Sequence, residues 1–147
     1  MPAAAPSQPT ESCPGCGTVL AVLPDGVPSH QGASASCSHL FEVTLGGLRD
    51  ETGADPSAAV VVALADDAYA AQHPVPGDPA ALRGALDRLP AALGERPVPA
   101  DAERPSRWRT TIADVAADLD VIDLTVLVAS WARTVQEDWA AGPTVWK

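Results

Sequence analysis

Cys13-Pro14-Gly15-Cys16-Gly17 sets two thiols on a turn built from proline and glycine, a spacing at which both sulfurs can face one point. Further soft donors follow at His30, Cys37 and His73. Thiolate and imidazole are the ligands that a tetrahedral zinc ion takes, and a rigid knuckle supplies two of them at little entropic cost. The pattern therefore predicts a Zn2+ site with Cys13, Cys16 and Cys37 as ligands. The fourth is open between His73, which would pull a distant helix onto the knuckle, and His30, which lies in the intervening loop. His39 stands about 200° around a helix from Cys37 and points away.

Such a site can do one of two things. With three thiolates and one imidazole the shell is closed, and the metal staples a non-catalytic module for protein interaction. With one position left to water or substrate, the metal supplies Lewis-acid chemistry, and the histidine that does not ligate carries protons. The second reading leads, because more polar groups surround the ligands than a staple needs. It describes a zinc-dependent enzyme of hydrolase, lyase or cyclase type acting on a small polar or carbonyl-containing metabolite. A redox C-x-x-C would sit at a helix start inside a strand–helix–strand unit, and nothing around Cys13 has that pattern. The sequence contains no H-E-x-x-H, G-x-S-x-G, P-loop or G-x-G-x-x-G, and Pro14 lies inside the cysteine pair rather than before it as deaminases require.

Composition narrows the partners. A formal charge of −10, scattered arginines and a single lysine at position 147 offer nothing for a phosphate backbone, so nucleic acid is not expected. The longest apolar run, 58–65, is too short to span a bilayer, and no basic residue precedes Arg49 to open a secretory signal. Three cysteines without such a signal suit metal binding in a reducing, cytoplasmic setting. At 147 residues the chain is long enough to bury one core.

The elements that must position these groups are helical. Residues 1–10 lack periodicity and are expected to be a disordered tail; 11–147 form one domain, opened by a turn-rich, zinc-ribbon-like loop with at most one small hairpin. From Ser34 or Ser36, the series Cys37, Leu40, Phe41, Thr44, Leu45, Leu48 marks one helical face. Gly46 and Gly47 weaken that helix, which predicts close packing against a neighbour there. Asp55-Pro56 and Asp78-Pro79 open two more helices, the second ended or bent by Pro90 and broken by Gly94. Residues 95–107 look like an extended linker. Thr111 to Asp114 resembles a capping box for a helix with Ile112, Val115 and Leu119 on its stripe. The last helix, about 121–141, aligns Leu124, Leu127, Val128, Trp131, Val135 and Trp139. The expected fold is all-α, about five helices in an irregular bundle.

Taken together, Cys13 to Gly17, Asp25-Gly26 with Pro28 and His30, Gly32-Ala33-Ser34 with Cys37 and Phe41, Asp67-Ala68-Tyr69-Ala70 with Gln72-His73-Pro74, and Thr111, Asp114, Trp131-Ala132, Val135 and Trp139 resemble a bacterial family of unknown function. The resemblance spans almost the whole chain. It departs at Ser38, where a tryptophan is expected, at Val75 in place of glycine, and at Ala140-Ala141-Gly142, where a histidine pair often stands. It implies a helical zinc protein and carries no reaction with it. Its Asp67 and Tyr69 block adds those two residues to His30 as the candidate catalytic set. By helical geometry Tyr69 and Asp66 project near His73, while Asp67 lies about 240° away and would need a frayed helix end to reach it. Trp146 is expected to pack on the core or to cover a pocket or an oligomer contact.

Overall fold

Two helices begin with the same device. Asp55 and Asp78 each precede a proline, and each carboxylate accepts a backbone N–H of the first turn, from Ser57 at 2.9 Å and from Ala81 at 3.1 Å. Proline fits there because that N–H would have no helical partner. In the computed structural model, which describes residues 8–143, these caps open α2 (Pro56–Gln72) and α3 (Pro79–Leu93). Around them stand α1 (Ala35–Glu51), α4 (Ile112–Ala117) and α5 (Leu124–Ala141), preceded by an antiparallel pair, β1 (Thr10–Ser12) and β2 (Val19–Ala21), in the register Thr10↔Ala21 and Ser12↔Val19. The fold is the expected helical bundle behind a small cysteine-bearing hairpin. Thr10, assigned to the tail from sequence, opens β1 instead; residues 1–7 and Trp146 lie outside the described residues.

Helix α2 occupies the middle and packs against α1, α3 and α5. Its buried positions are mostly alanine (Ala65, Ala68, Ala71), which lets the indoles of Trp131 and Trp139 from α5 come close. Both indoles are also anchored by hydrogen bonds, Trp139 Nε1 to the Ala71 carbonyl and Trp131 Nε1 to Gln72 Oε1, each 3.0 Å. Removing such a side chain typically costs about 3–5 kcal/mol. The consequence here is local: both bonds fall on the last turn of α2, the turn that presents His73.

Four boundaries or packings differ from the sequence expectation. Helix α5 starts at Leu124 because Asp123 caps it, accepting from Thr125 N at 3.0 Å, which leaves Val121 and Ile122 exposed before the helix. Helix α4 ends at Ala117, so Leu119 lies beyond its stripe and is exposed. Pro90 does not end α3; the helix runs through it to Gly94, whose φ of 69° closes the last turn in the left-handed conformation that glycine accepts without penalty. Gly46 and Gly47 are not compensated by close packing, since an added methyl at either would meet nothing within 4 Å.

The segment 95–107 is irregular but packed, not a free linker. Val98 and Pro105 are buried, Arg83 donates to the Val98 and Pro99 carbonyls, and Gln136 Nε2 donates to the Arg96 carbonyl. It crosses α3 and α5 and brings Arg104 and Trp108 to the cysteine knuckle. Among the described residues no helix is long and apolar enough to cross a membrane.

Candidate metal centre

The knuckle is a tight turn: Gly17 N donates to the Cys13 carbonyl at 2.9 Å and Cys13 N to the Thr18 carbonyl at 2.8 Å, with Gly17 at φ 79°. This curls the chain so that the sulfurs of Cys13 and Cys16 point inward, and both residues are buried. Cys37 comes from the first turn of α1. That turn is fixed by the Ser34 hydroxyl, which accepts Cys37 N at 3.1 Å, and by Glu11 of β1, which accepts from Ser36 N and Oγ. His73 is the residue that terminates α2, with non-helical backbone as expected before Pro74.

Four donor atoms converge. The sulfurs of Cys13, Cys16 and Cys37 and a ring nitrogen of His73 all lie within 4.8 Å of one another, and all four residues are buried. Cys16 Sγ is 3.8 Å from Cys37 Sγ, and Cys37 Sγ is 3.5 Å from His73 Nε2. This Cys3His group can hold a metal ion. His73 Nδ1 donates to the Tyr69 carbonyl at 2.7 Å, which orients the ring with Nε2 toward the sulfurs. Ser34 N donates to Cys13 Sγ at 3.4 Å, and the Tyr69 hydroxyl lies 3.3 Å from Cys37 Sγ.

The protonation of Cys13, Cys37 and His73 depends on their neighbours in the cluster. Contact with Cys16 and Cys37 draws the Cys13 thiol far down, while contact with Cys13 and Cys16, and then burial, pushes the Cys37 thiol far up. Burial opposes an imidazolium at His73, but the Cys13 and Cys16 sulfurs outweigh it and raise the ring to about 9. Burial above all, then Cys37, drives the Tyr69 hydroxyl upward, so it stays a neutral donor. Three crowded sulfurs cannot all ionise next to one another without a cation. A divalent ion among them removes that conflict.

The remaining candidates divide. His30 is outside the cluster: its Nε2–H donates to the His73 carbonyl at 2.8 Å, and its ring stands edge-on to Tyr69 with centroids 5.2 Å apart. Tyr69 is sandwiched between Phe41, at 4.0 Å, and the His73 ring, at 3.9 Å. His30 and Tyr69 line one recess of about 270 Å³ together with Ser38, Glu42 and Arg49. Asp67 does not join them. It pairs with Arg88 Nε of α3 at 2.9 Å, and Asp66 pairs with Arg49 rather than approaching His73. His39 is exposed.

Sequence reasoning missed the supports. Arg104 donates to the Pro14 and Gly15 carbonyls at 3.2 and 3.0 Å, and Trp108 Nε1 to the Gly15 carbonyl at 2.9 Å, so the chain over 104–108 clamps the knuckle from outside. Gln72, fully buried, accepts from Trp131 and donates to the Thr110 carbonyl at 2.6 Å, locking the turn before His73. Gly15 has no side chain because the imidazole passes there: a Cβ would collide with His73 Cδ2 and lie 2.8 Å from the carbonyl oxygens of Gln72 and Gly32. A glycine inside C-P-G-C was the one available signal for that approach.

No curated protein and no solved structure matches the chain. A family model does match over residues 11–102, a span that holds all four donors of the cluster, all of the hairpin but Thr10, and α1 to α3, and stops before α4 and α5. That span is most of the chain, so the protein belongs to DUF5946, a family of unknown function.

Proposed function

We propose that the Cys3His group holds zinc as a closed structural centre, and that the protein is a zinc-stapled helical module whose working surface lies outside the metal. The observation that carries this is the donor spacing. Tetrahedral zinc with Zn–S of about 2.3 Å and Zn–N of about 2.0–2.1 Å requires S···S near 3.8 Å and S···N near 3.6 Å. The Cys16–Cys37 and Cys37–His73 separations are 3.8 and 3.5 Å. Four buried protein donors within 4.8 Å of one another, two pairs of them at that spacing, are enough to fill a tetrahedral shell without a substrate, and soft sulfur favours zinc over hard cations. When bound, the ion would tie the hairpin, α1 and α2 together through donors far apart in sequence, Cys16 and Cys37 by 21 residues and Cys37 and His73 by 36. The Ser34 N–H at Cys13 Sγ, the Tyr69 hydroxyl beside Cys37 Sγ and the Arg104 bonds to the knuckle carbonyls support the same geometry.

The test is metal analysis with X-ray absorption on the purified protein. One zinc per chain with three sulfurs and one nitrogen supports the reading. A shell with fewer sulfurs, or a bound water, overturns it.

A second reading rests on the recess lined by His30 and Tyr69, which adjoins Cys37. Here a small polar or carbonyl-containing metabolite would be the substrate of a hydrolase, lyase or cyclase reaction. Because His30 Nε2–H is spent on the His73 carbonyl, its Nδ1 keeps a lone pair able to take a proton. His30→Gln decides it in cells: loss of the knockout-complementing function, with zinc content and helicity intact, would favour an enzyme, and full complementation would retire that reading.

A further inference from the structure

The knuckle also borders a second cleft, of about 460 Å³, lined by Cys13 to Gly17 on one side and Arg104 to Trp108 on the other. Two guanidinium groups border it. Arg104 uses one terminal nitrogen on the Pro14 and Gly15 carbonyls, with its other N–H groups making no bond among the described residues. Arg107 makes no hydrogen bond or ion pair among them at all.

That is unusual for this chain. With a net charge of −10, carboxylates are in excess, and the other arginines take them: Arg49 with Asp66, Arg83 with Asp87, Arg88 with Asp67, Arg109 with Glu137 and Asp138, Arg133 with Glu95. Arg96 also lacks a carboxylate but lies in a separate groove beside Pro97, Pro99 and Ala140. Among the described residues, only in the knuckle cleft do two such cations face one space. No carboxylate is among the described residues that line it. A fork of N–H donors on a guanidinium matches a carboxylate or phosphate in bidentate fashion, and the volume is that of a metabolite site.

We propose that this cleft binds a small anionic metabolite through its carboxylate or phosphate group, with Arg107 as the bidentate contact, Arg104 as the second cation and the Trp108 indole as an apolar wall. Arg104 couples the ligand to the metal centre, since the same guanidinium holds the knuckle carbonyls. The inference does not depend on whether the metal reacts, and metal content is measured in the same samples so that loss of the centre and loss of the ligand are told apart.

The test is calorimetric titration of the full-length, metal-loaded protein with inorganic phosphate and, separately, with succinate, at ionic strength held constant with chloride. Saturable binding of at least one, with a dissociation constant on the order of millimolar or tighter, is expected. Which of the two binds identifies the group recognised. Arg107→Gln should weaken it about tenfold or more, at unchanged metal content and melting temperature. Arg133→Gln, a cation removed elsewhere, should leave it unchanged. No saturable binding of either anion, or binding indifferent to Arg107→Gln, overturns the proposal.

Discussion

Gly15→Ala adds one methyl where three segments meet. Its Cβ would strike His73 Cδ2 and press on the Gln72 and Gly32 carbonyls, both 2.8 Å away. Two of those obstacles are backbone. The third is a ring held by the bond from Nδ1 to the Tyr69 carbonyl and by stacking on Tyr69, so no rotamer change makes room. Gly15 is not in the left-handed region, so alanine fits its backbone and the whole penalty is steric. Overpacking of this kind costs about 1–3 kcal/mol. Because the displaced group is the nitrogen donor of the proposed zinc centre, the cost should fall on metal binding, and 1–3 kcal/mol corresponds to a loss of about 5-fold to 150-fold in affinity. Competition with a chromophoric zinc chelator measures it, with far-UV circular dichroism to confirm the helices. Gly53→Ala, whose methyl meets nothing within 4 Å, is the control. Zinc affinity of Gly15→Ala within twofold of the parent would refute the claim that the knuckle and the imidazole are packed into contact.

Gly46→Ala and Gly47→Ala should each stabilise the protein, because both lie inside α1 with free space around the added methyl; a gain approaching 1 kcal/mol apiece, or about 2–4 °C in melting temperature, is expected by calorimetry. Asp138 is buried against Arg109, and burial raises its carboxyl above the ordinary value despite that pairing. A carboxyl whose folded pKa is raised binds its proton more tightly folded than unfolded, so its contribution is greatest below about pH 4 and declines as pH rises through the folded titration. Asp138→Asn should therefore gain stability relative to the parent over that interval in urea titrations at stepped pH; a difference independent of pH would contradict the burial argument.

Much of the scaffold was legible because its signals are local. Asp-Pro caps at 55–56 and 78–79, Gly94 as a stop, and the Trp131–Trp139 stripe act within a turn or two of themselves, and each appears where the pattern places it. The misread boundaries were local competitions as well. Asp123 caps α5 and thereby excludes Val121 and Ile122, whose apolar character had suggested an earlier start.

For the centre, residue chemistry alone made Cys13, Cys16 and Cys37 candidates, since thiols are scarce in this chain and two of them share one turn. Choosing between His30 and His73 was a different kind of question. Both are imidazoles at plausible distances along the chain, and the choice depends on where the end of α2 lands, which the Trp131, Trp139 and Gln72 bonds from distant segments determine. The same holds for Asp67, drawn to Arg88, and for the clamp of Arg104 and Trp108 on a knuckle some 90 residues earlier. Periodicity and capping are short-range physics and are written in neighbouring residues; which side chains meet across the core is decided by packing, where every contact depends on all the others.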